Sequence, residues 1–381
     1  MPERIEISLP AVGEEEWLAL RAPLDSGWLT QGSQVAQFES EFAIRHQVSH
    51  ALATTSCTTA LHLMLASAGI GPGDEVIVPS FTWVSTVNAV VYCGATPVLV
   101  DVDPVTYNIS VEDTIRHVTK RTKAVIAVHL FGLCADMESL REALPRHILL
   151  FEDAACAAGA SVNGVSAGAL GDAAAFSFHP RKSITTGEGG MFTTNNAEVA
   201  DTASKMRNHG AEVSEEQRHK GPQPYLLPDF NLLGFNYRMT DLQGAIGIAQ
   251  LRKLDTFIAE RQRAADLYDK NLGHLDVLQM PSRPNAGVHA WQAFVLRVRG
   301  ANGLDERNRI MTSLDALGIS TRPGTHAIHS LGYYRDKFKK TDADLPGAAL
   351  CRDTTVAVPL HNRMTENDYA RVVDAMQSVV K

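Results

Sequence analysis

Cysteine is scarce in this sequence of 381 residues, and the five that occur are scattered at Cys57, Cys93, Cys134, Cys156 and Cys351. Their odd number and irregular spacing argue against a disulfide framework and against a structural zinc site. The sequence also lacks an apolar run of the ~18 residues that a membrane span requires. Its first residues, MPERIEISLP, lack the apolar core of a signal peptide. We therefore predict a reduced, cytoplasmic protein without a metal.

An excess of positive charge is also missing, because 35 Lys and Arg residues face 43 Asp and Glu residues, giving a formal net charge of -8. This balance argues against binding to nucleic acid or to an anionic membrane. The 45% hydrophobic content is that of an ordinary globular protein, without internal repeats. The length allows two domains or one large domain with an appendage. A long helical pattern after Thr240 places the boundary, and we predict a large domain at 1–250 and a smaller C-terminal one at 251–381.

Apolar runs alternate with helical patterns in the first half of the chain. The runs at 96–102 and 124–130 are rich in β-branched residues, as in strands buried on both faces of a parallel sheet. A helical segment at 137–144 separates the second run from a further strand at 148–151. This alternation is typical of a doubly wound α/β layer. By contrast, 210–234 is a long irregular stretch, and such stretches in compact domains are usually functional or disordered.

A single lysine stands between two predicted strands in the stretch AAAFSFHPRKSITTGEGGMFTT at 173–194. Small and apolar residues open the stretch, Pro180 breaks the strand, and the glycines after Glu188 favour a tight turn before the second strand. Burial on a short loop would lower the pKa of Lys182 and make its amine a nucleophile. The alternative is a surface lysine in a turn.

Two acids, Glu152 and Asp153, directly follow the predicted strand at 148–151. Open α/β sheets bind their ligands at the carboxyl ends of strands. Because successive side chains of a strand point to opposite faces, only one of the two acids should face a site there. A helix cap is the alternative reading of such an acid.

Hydroxyl residues fill the segment 54–59, before the helical run ALHLMLASAG. They are good N-caps, and the free N–H groups of a helix start also form a seat for phosphate. Capping alone would explain the hydroxyls. Together with Trp83, Asp153, Ser177 and Lys182, however, they make the set that pyridoxal 5′-phosphate (PLP) needs. That cofactor requires a lysine for its Schiff base, an acid for its pyridine nitrogen, a stacking aromatic ring, and hydroxyls for its phosphate.

The sequence closely resembles the sugar aminotransferases of the DegT/StrS type, which have the fold-type I architecture of aspartate aminotransferase. The resemblance extends over much of the first 250 residues. It rests on the motifs GWLTQG, TSCTTALHLML, GIGPGDEVIVPSFTWVST, GATPVLVDVD, FEDAACAAGA, FSFHPRKSITTGEGG and GFNYRMTDLQGAIGIAQL. The implied fold is α/β, with a large domain built on a mixed, mostly parallel sheet between helices and a smaller α+β domain.

The resemblance also implies residue roles. Lys182 would form the Schiff base and carry the proton, and Asp153 would hold the pyridine nitrogen. Trp83 would stack on the ring, and the phosphate would lie at Ser177, Thr58, Thr59 and Asn236, the last of these reaching from the neighbouring subunit of a homodimer. Cys156 departs from the family, which commonly has Gln or His at this position near the cofactor. A thiol is a poor hydrogen-bond donor, so the usual tuning of the ring is in doubt.

The remaining candidates concern the substrate, and we place Thr30, Arg238, His326 and His329 at its binding site. The two histidines lie three residues apart and form a candidate sugar-binding wall, although packing explains them nearly as well. They also suggest zinc, but the sequence offers no evident third ligand.

The function implied by the resemblance is ping-pong transamination. L-glutamate would donate the amine, and a keto nucleotide sugar, with the ketone expected at C4, would receive it. The product would be an amino sugar for a surface polysaccharide or a glycosylated product. One alternative is a sugar dehydratase on this scaffold, which relies on histidine in place of Lys182. Another is a PLP-binding sensor without turnover; no basic arm or DNA-binding appendage supports it. The sequence does not specify the base or the sugar.

Overall fold

The computed structural model describes residues 4–212, 225, 227, 229–300 and 303–380. Most of the long irregular stretch predicted at 210–234 therefore lies outside the described residues. Within the described ranges, no helix combines the length and the apolarity needed to cross a membrane.

Fifteen strands are described. In chain order they are β1 (His50–Thr54), β2 (Glu75–Pro79), β3 (Phe81–Thr82), β4 (Thr96–Val100), β5 (Thr122–Val128), β6 (Leu149–Asp153), β7 (Ser161–Val162), β8 (Val165–Ser166), β9 (Ala173–Ser177), β10 (Gly190–Thr194), β11 (Leu278–Gln279), β12 (Gly287–Val288), β13 (Phe294–Val298), β14 (His326–Ala327) and β15 (Thr355–Val358).

The described part of the chain also forms thirteen α-helices. They are α1 (Glu14–Ala19), α2 (Arg21–Ser26), α3 (Ser33–His46), α4 (Cys57–Ser67), α5 (Val84–Tyr92), α6 (Val111–Arg116), α7 (Met137–Ala143), α8 (Ala197–Arg207), α9 (Asp241–Leu272), α10 (Gly303–Ala316), α11 (Gly332–Phe338), α12 (Pro346–Thr354) and α13 (Glu366–Val379).

The main sheet has seven strands in the order β1-β10-β9-β6-β5-β2-β4. Strands β9, β6, β5, β2 and β4 run parallel, whereas β10 is antiparallel to both of its neighbours, β1 and β9. Every residue of β2, β9 and β10 is buried, which agrees with the continuous apolar runs seen in the sequence. The predicted α/β class, with a mixed and mostly parallel sheet between helices, is confirmed.

Alternate residues of β9 pack into different cores, as the strand period requires. Ala173 and Ala175 belong to the cluster that includes α4, and Ala174 and Phe176 belong to the cluster with α3 and the first half of α9. The sheet therefore has a packed layer on each face, and its functional residues must lie at strand ends.

The long helix α9 joins the two parts of the chain. It begins at a capping box between Thr240 and Gln243, and the predicted boundary between residues 250 and 251 falls within it. The carboxylate of Asp241 accepts hydrogen bonds from the N–H groups of Gly32 (2.8 Å) and Val35 (3.0 Å). The first residue of α9 thus caps the start of α3.

The C-terminal part contains the sheet β11-β13-β15, which forms a core with α10, α13 and the end of α9. Ile5 belongs to the same core, and its N–H donates to the carbonyl of Gly318 across 2.9 Å. The first described residues therefore pack with the last part of the chain. The division into domains at 1–250 and 251–381 stays a prediction.

Candidate active site

Strands β6, β9 and β10 bring the start of α4 and the loop carrying Lys182 together at one edge of the sheet. Gly190 pairs with Ser177 on one side and with Thr54 on the other. A Cβ atom at Gly190 would lie 2.5 Å from the backbone of Ser56, so a side chain at this position would push α4 away. Glycine is required at this position because the start of α4 packs closely against the backbone of β10, not because the chain turns there.

Lys182 lies in a turn that is closed by a hydrogen bond from its own backbone N–H to the carbonyl of His179, at 2.8 Å. Its Nζ donates to the Sγ of Cys156 across 3.2 Å. Burial acts to lower the pKa of Lys182, as expected from the sequence, but the charge and hydrogen bond of Cys156 raise it, with contributions from Cys57 and Asp153. The net pKa is raised, so the expectation of a lowered value is wrong for the chain without cofactor. The reason is that the fold places two thiols and the carboxylate of Asp153 near the amine.

Asp153 is the last residue of β6 and is only 5% exposed. Its carboxylate accepts hydrogen bonds from the Oγ1 of Thr86 (2.7 Å) and the N–H of Ala155 (3.2 Å). Burial raises the pKa of Asp153, while these hydrogen bonds and the charge of Lys182 act to lower it. A bound cation would stabilise the charged carboxylate further.

Glu152 faces the other side of the sheet, where its carboxylate accepts hydrogen bonds from the N–H groups of Gly168 and Gly171, both at 2.7 Å. It also lies 2.8 Å from the Nε2 of His129, and both side chains are fully buried. The Nδ1 of His129 accepts from the N–H of Ala135, so Nε2 carries the proton that is donated to Glu152. Of the two acids, only Asp153 points towards Lys182.

Several hydroxyls at the start of α4 form hydrogen bonds with other groups of the chain. Ser56 and Thr59 form a capping box, in which the Oγ1 of Thr59 accepts from the N–H of Ser56 at 3.0 Å. The hydroxyl of Thr58 donates to the Oγ of Ser85 at 2.9 Å, and the Oγ of Ser177 accepts from the N–H of His179 at 3.4 Å. The capping reading of Thr59 is therefore correct in the described structure, and its role at a phosphate stays a prediction.

Trp83 precedes α5 and is 59% exposed, as a ring must be to contact a ligand. The ring of His326 lies 5.5 Å from it, because β14 pairs with β3 and places His326 opposite Thr82. His329 is different, with 1% exposure and ring nitrogens bonded to Ser80 (2.7 Å) and to Asp342 (2.9 Å). The structure therefore brings His326, but not His329, to the predicted sugar-binding wall; His329 connects two segments of the fold.

No group of three His, Cys, Asp or Glu side chains in the described ranges could hold a metal ion. The two histidines that suggested zinc have different surroundings, since the ring of His326 lies against Trp83 and that of His329 is buried against Ser80.

The segment that carries Asn236 and Arg238 lies beside the start of α4. The carbonyl of Tyr237 accepts from the N–H of Thr55 at 3.1 Å, and Arg238 pairs with Thr54 through the backbone. Asn236 is exposed and pairs through its backbone with Asn208. Thr30 lies beside the start of α9, where its carbonyl accepts from the N–H of Asp241 at 3.2 Å. Their predicted roles at phosphate and substrate stay predictions.

Two residues next to the site were not predicted from the sequence to have a role there. Thr86 binds Asp153, and its position one helical turn after Trp83 is the signal that could have revealed it. Cys57, at the first position of α4, is a second thiol near the amine and acts to raise the pKa of Lys182. Burial raises the pKa of the Cys57 thiol well above its usual value.

The residues present fit PLP. The amine of Lys182 and the buried carboxylate of Asp153 act on each other electrostatically, and the exposed indole of Trp83 directly precedes α5, the helix whose Thr86 binds Asp153. The Oγ of Ser183, next to Lys182, is buried and has no hydrogen-bond partner among the described residues. A buried hydroxyl without a partner is costly unless a bound group satisfies it.

Comparison with known proteins agrees with this geometry. The sequence profile of the DegT/DnrJ/EryC1/StrS aminotransferase family matches residues 10–377. The chain is 41% identical to the GDP-perosamine synthase of Caulobacter vibrioides over 380 residues, covering 99% of this chain and 98% of that protein. It is 37% identical to the spore coat polysaccharide biosynthesis protein SpsC of Bacillus subtilis over 376 residues, covering 98% and 96%.

Solved structures of sugar aminotransferases also resemble this chain. Spr1654 from Streptococcus pneumoniae has been determined in PLP and PMP forms, and each superposes on this chain with a TM-score of 0.92. The two sequences are 25% identical, and the superposition covers 99% of this chain and 98% of the other.

Proposed function

The chain belongs to the DegT/DnrJ/EryC1/StrS aminotransferase family, and on this premise we propose that it transfers the amine of L-glutamate to C4 of a keto sugar linked to a nucleotide. It is a PLP-dependent aminotransferase of amino sugar biosynthesis. A GDP-linked sugar is the first candidate substrate, because the chain is 41% identical to a GDP-perosamine synthase over nearly its whole length. The C4 position is inferred from the resemblance of FSFHPRK and TTGEGG to family members that act there.

The observation that carries the proposal is the placement of Lys182. Its amine is held in a turn beside the buried carboxylate of Asp153, at the carboxyl ends of β6 and β9. A partly buried amine and a buried carboxylate acting on one another are what cofactor attachment and cofactor protonation each require.

PLP, when bound, supplies an electron sink for the carbanion formed at the amine-bearing carbon. In our proposal the Nζ of Lys182 holds PLP and then carries the proton at the reacting carbon. The carboxylate of Asp153, fixed by Thr86 and Ala155, holds the proton of the pyridine nitrogen. Trp83 would cover one face of the ring. The phosphate would be held by the hydroxyls of Thr58 and Ser177, the start of α4 and Asn236.

We further propose that the enzyme is a homodimer in the cytoplasm. Support for the dimer comes from the family resemblance of GFNYRM and from the exposure of Asn236, which in our proposal reaches the phosphate of the neighbouring subunit. Nucleotide sugars and glutamate are cytoplasmic metabolites, which supports the location. The net charge of -8 gives no support to a nucleic acid partner.

The test is a panel of GDP-, dTDP- and UDP-linked 4-keto sugars incubated with the enzyme, PLP and L-glutamate. We expect one or more sugars to be converted into the amino sugar, identified by mass, with 2-oxoglutarate formed in equal amount. Lys182→Ala should abolish both products, whereas Lys120→Ala, an exposed lysine at the opposite end of the sheet, should retain them. Loss of a sugar hydroxyl without amine transfer would indicate a dehydratase instead. Bound PLP that glutamate leaves unchanged would indicate a sensor.

A further inference from the structure

A thiol and an amine are in contact at the edge of the candidate active site, and the proposed mechanism gives the thiol no role. The Nζ of Lys182 donates a hydrogen bond to the Sγ of Cys156 across 3.2 Å. Both side chains are partly exposed, so a small molecule from the solvent reaches them. The contact therefore joins two nucleophiles, one of which is the amine that we propose to hold PLP.

Two short turns hold these groups against each other. Cys156 lies in the turn after β6, which the N–H of Ala157 closes by donating to the carbonyl of Ala154 at 2.9 Å. Ala154 is itself fixed to β9, because its N–H donates to the carbonyl of Ala175 at 2.9 Å. Lys182 lies in its own hydrogen-bonded turn. The backbone on both sides of the contact is therefore fixed, whereas the flexible four-carbon stem of the lysine still lets the amine move.

The environment of Cys156 differs from that of the other four cysteines. Burial raises the pKa of each of those thiols, well above its usual value at Cys57 and to about 12 at Cys93, Cys134 and Cys351. Those thiols stay protonated, and a thiol is a far weaker nucleophile than a thiolate. Cys156 instead accepts a hydrogen bond from a lysine, and a neighbouring lysine is the kind of group that favours a thiolate. We therefore expect an oxidant to react at Cys156 first.

The contact also determines the product of that oxidation. A thiolate and a hydroperoxide give a sulfenic acid, which condenses with a second thiol or with a nitrogen to form a new bond to sulfur. At Cys156 a nitrogen is already within hydrogen-bond distance. A thiol partner is less favoured, because Cys57, the second thiol that acts on Lys182, is held protonated by its burial.

We propose that a hydroperoxide such as hydrogen peroxide joins Cys156 to Lys182 through a sulfur–nitrogen bond, and that this modification reversibly blocks the attachment of PLP. The proposal concerns a position at which the family commonly has Gln or His, so it applies to this chain and not to relatives with those residues. It rests on the proposed function in one respect, namely that Lys182 is the residue that holds PLP.

The reaction has two steps. In the first, the thiolate attacks one oxygen of the peroxide and the oxygen–oxygen bond breaks. The ammonium of Lys182 gives a proton to the leaving hydroxide, which departs as water, so that sulfur is oxidised by two electrons and the peroxide is reduced. In the second, the lone pair of the now neutral amine attacks the sulfur of the sulfenic acid. The sulfur–oxygen bond breaks, and the hydroxyl leaves with a proton from the nitrogen as a second water. The protein thus loses two hydrogen atoms.

A thiol reductant reverses the modification. Its thiolate attacks the sulfur of Cys156, and the nitrogen leaves with a proton as the free amine of Lys182. A second thiol of the reductant then releases Cys156 and forms the disulfide of the reductant. The two states of the lysine exclude each other, because an amine joined to sulfur is not free to hold PLP. Conversely, an amine that holds PLP is not free to attack the sulfenic acid.

The test treats the cofactor-free protein with hydrogen peroxide and measures the intact mass and a peptide map. We expect a product that lacks two hydrogens, in which the peptides of Cys156 and Lys182 are linked, and which no longer develops the absorbance of attached PLP. Dithiothreitol should restore both the mass and the uptake of PLP. Cys156→Ser should form no such product. Cys93→Ala, which removes another partly exposed thiol at the end of α5, should form it at the wild-type rate. Tm verifies that each variant is folded.

The PLP-loaded enzyme gives a second measurement. PLP at about ten times its dissociation constant should slow formation of the link about tenfold, because bound PLP occupies the amine. L-glutamate should remove this protection, since transfer of its amine to the cofactor frees Lys182. If the link forms in the cofactor-free protein and PLP slows it, but glutamate has no effect, the proposed function fails while this inference stands.

Three results would overturn the inference. Addition of two oxygens to Cys156 without a link to Lys182 would show that a sulfinic acid forms instead. A loss of two hydrogens that occurs in wild type but not in Cys57→Ala would show a disulfide between Cys57 and Cys156. Equal rates of linkage with and without PLP would show that the link and the cofactor do not compete for the amine.

Discussion

The amine of Lys182 donates a hydrogen bond to the thiol sulfur of Cys156 across 3.2 Å. This contact is the departure from the family that the sequence indicated, and it acts directly on the residue proposed to hold the cofactor. Burial acts to lower the pKa of Lys182, but Cys156, together with Cys57 and Asp153, outweighs this effect and the net pKa is raised.

Replacing Cys156 by alanine should therefore lower the pKa of Lys182 in the cofactor-free enzyme. Only the neutral amine attacks an aldehyde, so a lower pKa leaves more reactive amine at neutral pH. We expect PLP to attach several times faster at pH 7 in Cys156→Ala than in wild type, with the difference disappearing at high pH. Stopped-flow absorbance over a pH series measures this rate. Cys93→Ala, at the end of α5, is the matched control, and equal rates in both variants would contradict the prediction.

Asp153→Asn should retain PLP but reduce kcat more than tenfold, a change in barrier of at least ~1.4 kcal/mol. Thr86 and Ala155 would still hold the side chain in place. The lost negative charge, however, lowers the pKa of the pyridine nitrogen and weakens the electron sink. Steady-state kinetics and the cofactor absorbance measure the two effects.

Glu152→Gln is the matched control for Asp153, because it changes the neighbouring acid in the same way on the other face of the sheet. It weakens a buried contact with His129 and should lower the free energy of unfolding by about 2–4 kcal/mol, with little effect on the kcat of the folded enzyme. If instead Glu152→Gln loses activity and Asp153→Asn does not, the assignment of the two acids is reversed.

His46 should make the protein less stable as the pH falls from 6.5 towards 4. Burial lowers the pKa of His46 to about 4, and its Nε2 has no hydrogen-bond partner among the described residues. The unfolded chain therefore binds a proton in this range before the folded chain does, so stability rises with pH. The full contribution of this one group is about 3 kcal/mol.

Urea unfolding at a series of pH values tests this prediction. His46→Gln keeps a donor for the carbonyl of Ala167, which Nδ1 contacts at 2.8 Å, and removes the titrating ring. We expect the free energy of unfolding to depend less steeply on pH between 6.5 and 4.5 in this variant than in wild type. Equal slopes would contradict the prediction. The buried His289 and His361 titrate in the same direction and are common to both proteins.

Mixing two inactive variants tests the proposed sharing of sites across a dimer. Lys182→Ala removes the amine, and a disruptive substitution at Asn236 removes the phosphate contact. If Asn236 serves the neighbouring subunit, one site of the mixed dimer holds both defects and the other holds neither. We expect about half of the wild-type activity per mixed dimer. Subunit exchange is verified by mass, and exchange without activity would show that Asn236 serves its own chain.

The sequence could predict the elements around Lys182 because they follow from local patterns. The stretch at 173–194 predicted two strands around a turn, and the structure has β9 and β10 at these positions. Successive side chains of β6 point to opposite faces of the sheet. The different surroundings of Glu152 and Asp153 therefore also follow from local geometry.

The surroundings of the two histidines and the pKa of Lys182 could not be predicted, because they depend on contacts between residues that are distant in sequence. His326 and His329 are three residues apart, yet pairing between β14 and β3 directs the first to Trp83 and a 3₁₀ turn buries the second. The net pKa of Lys182 depends on Cys57 and Cys156, which are 125 and 26 residues away in sequence.

The position of β1 in the main sheet also constrains how the chain assembles as it is synthesised. This edge strand has β10 as its neighbour, so its partner leaves the ribosome roughly 140 residues later. At about 5 to 20 residues per second, that is a delay of roughly 7 to 28 seconds. The parallel strands β2, β4 and β5 are complete well before then and can pair first. The sheet therefore grows from β2, β4 and β5 towards β10, and the first strand of the chain is among the last to be incorporated.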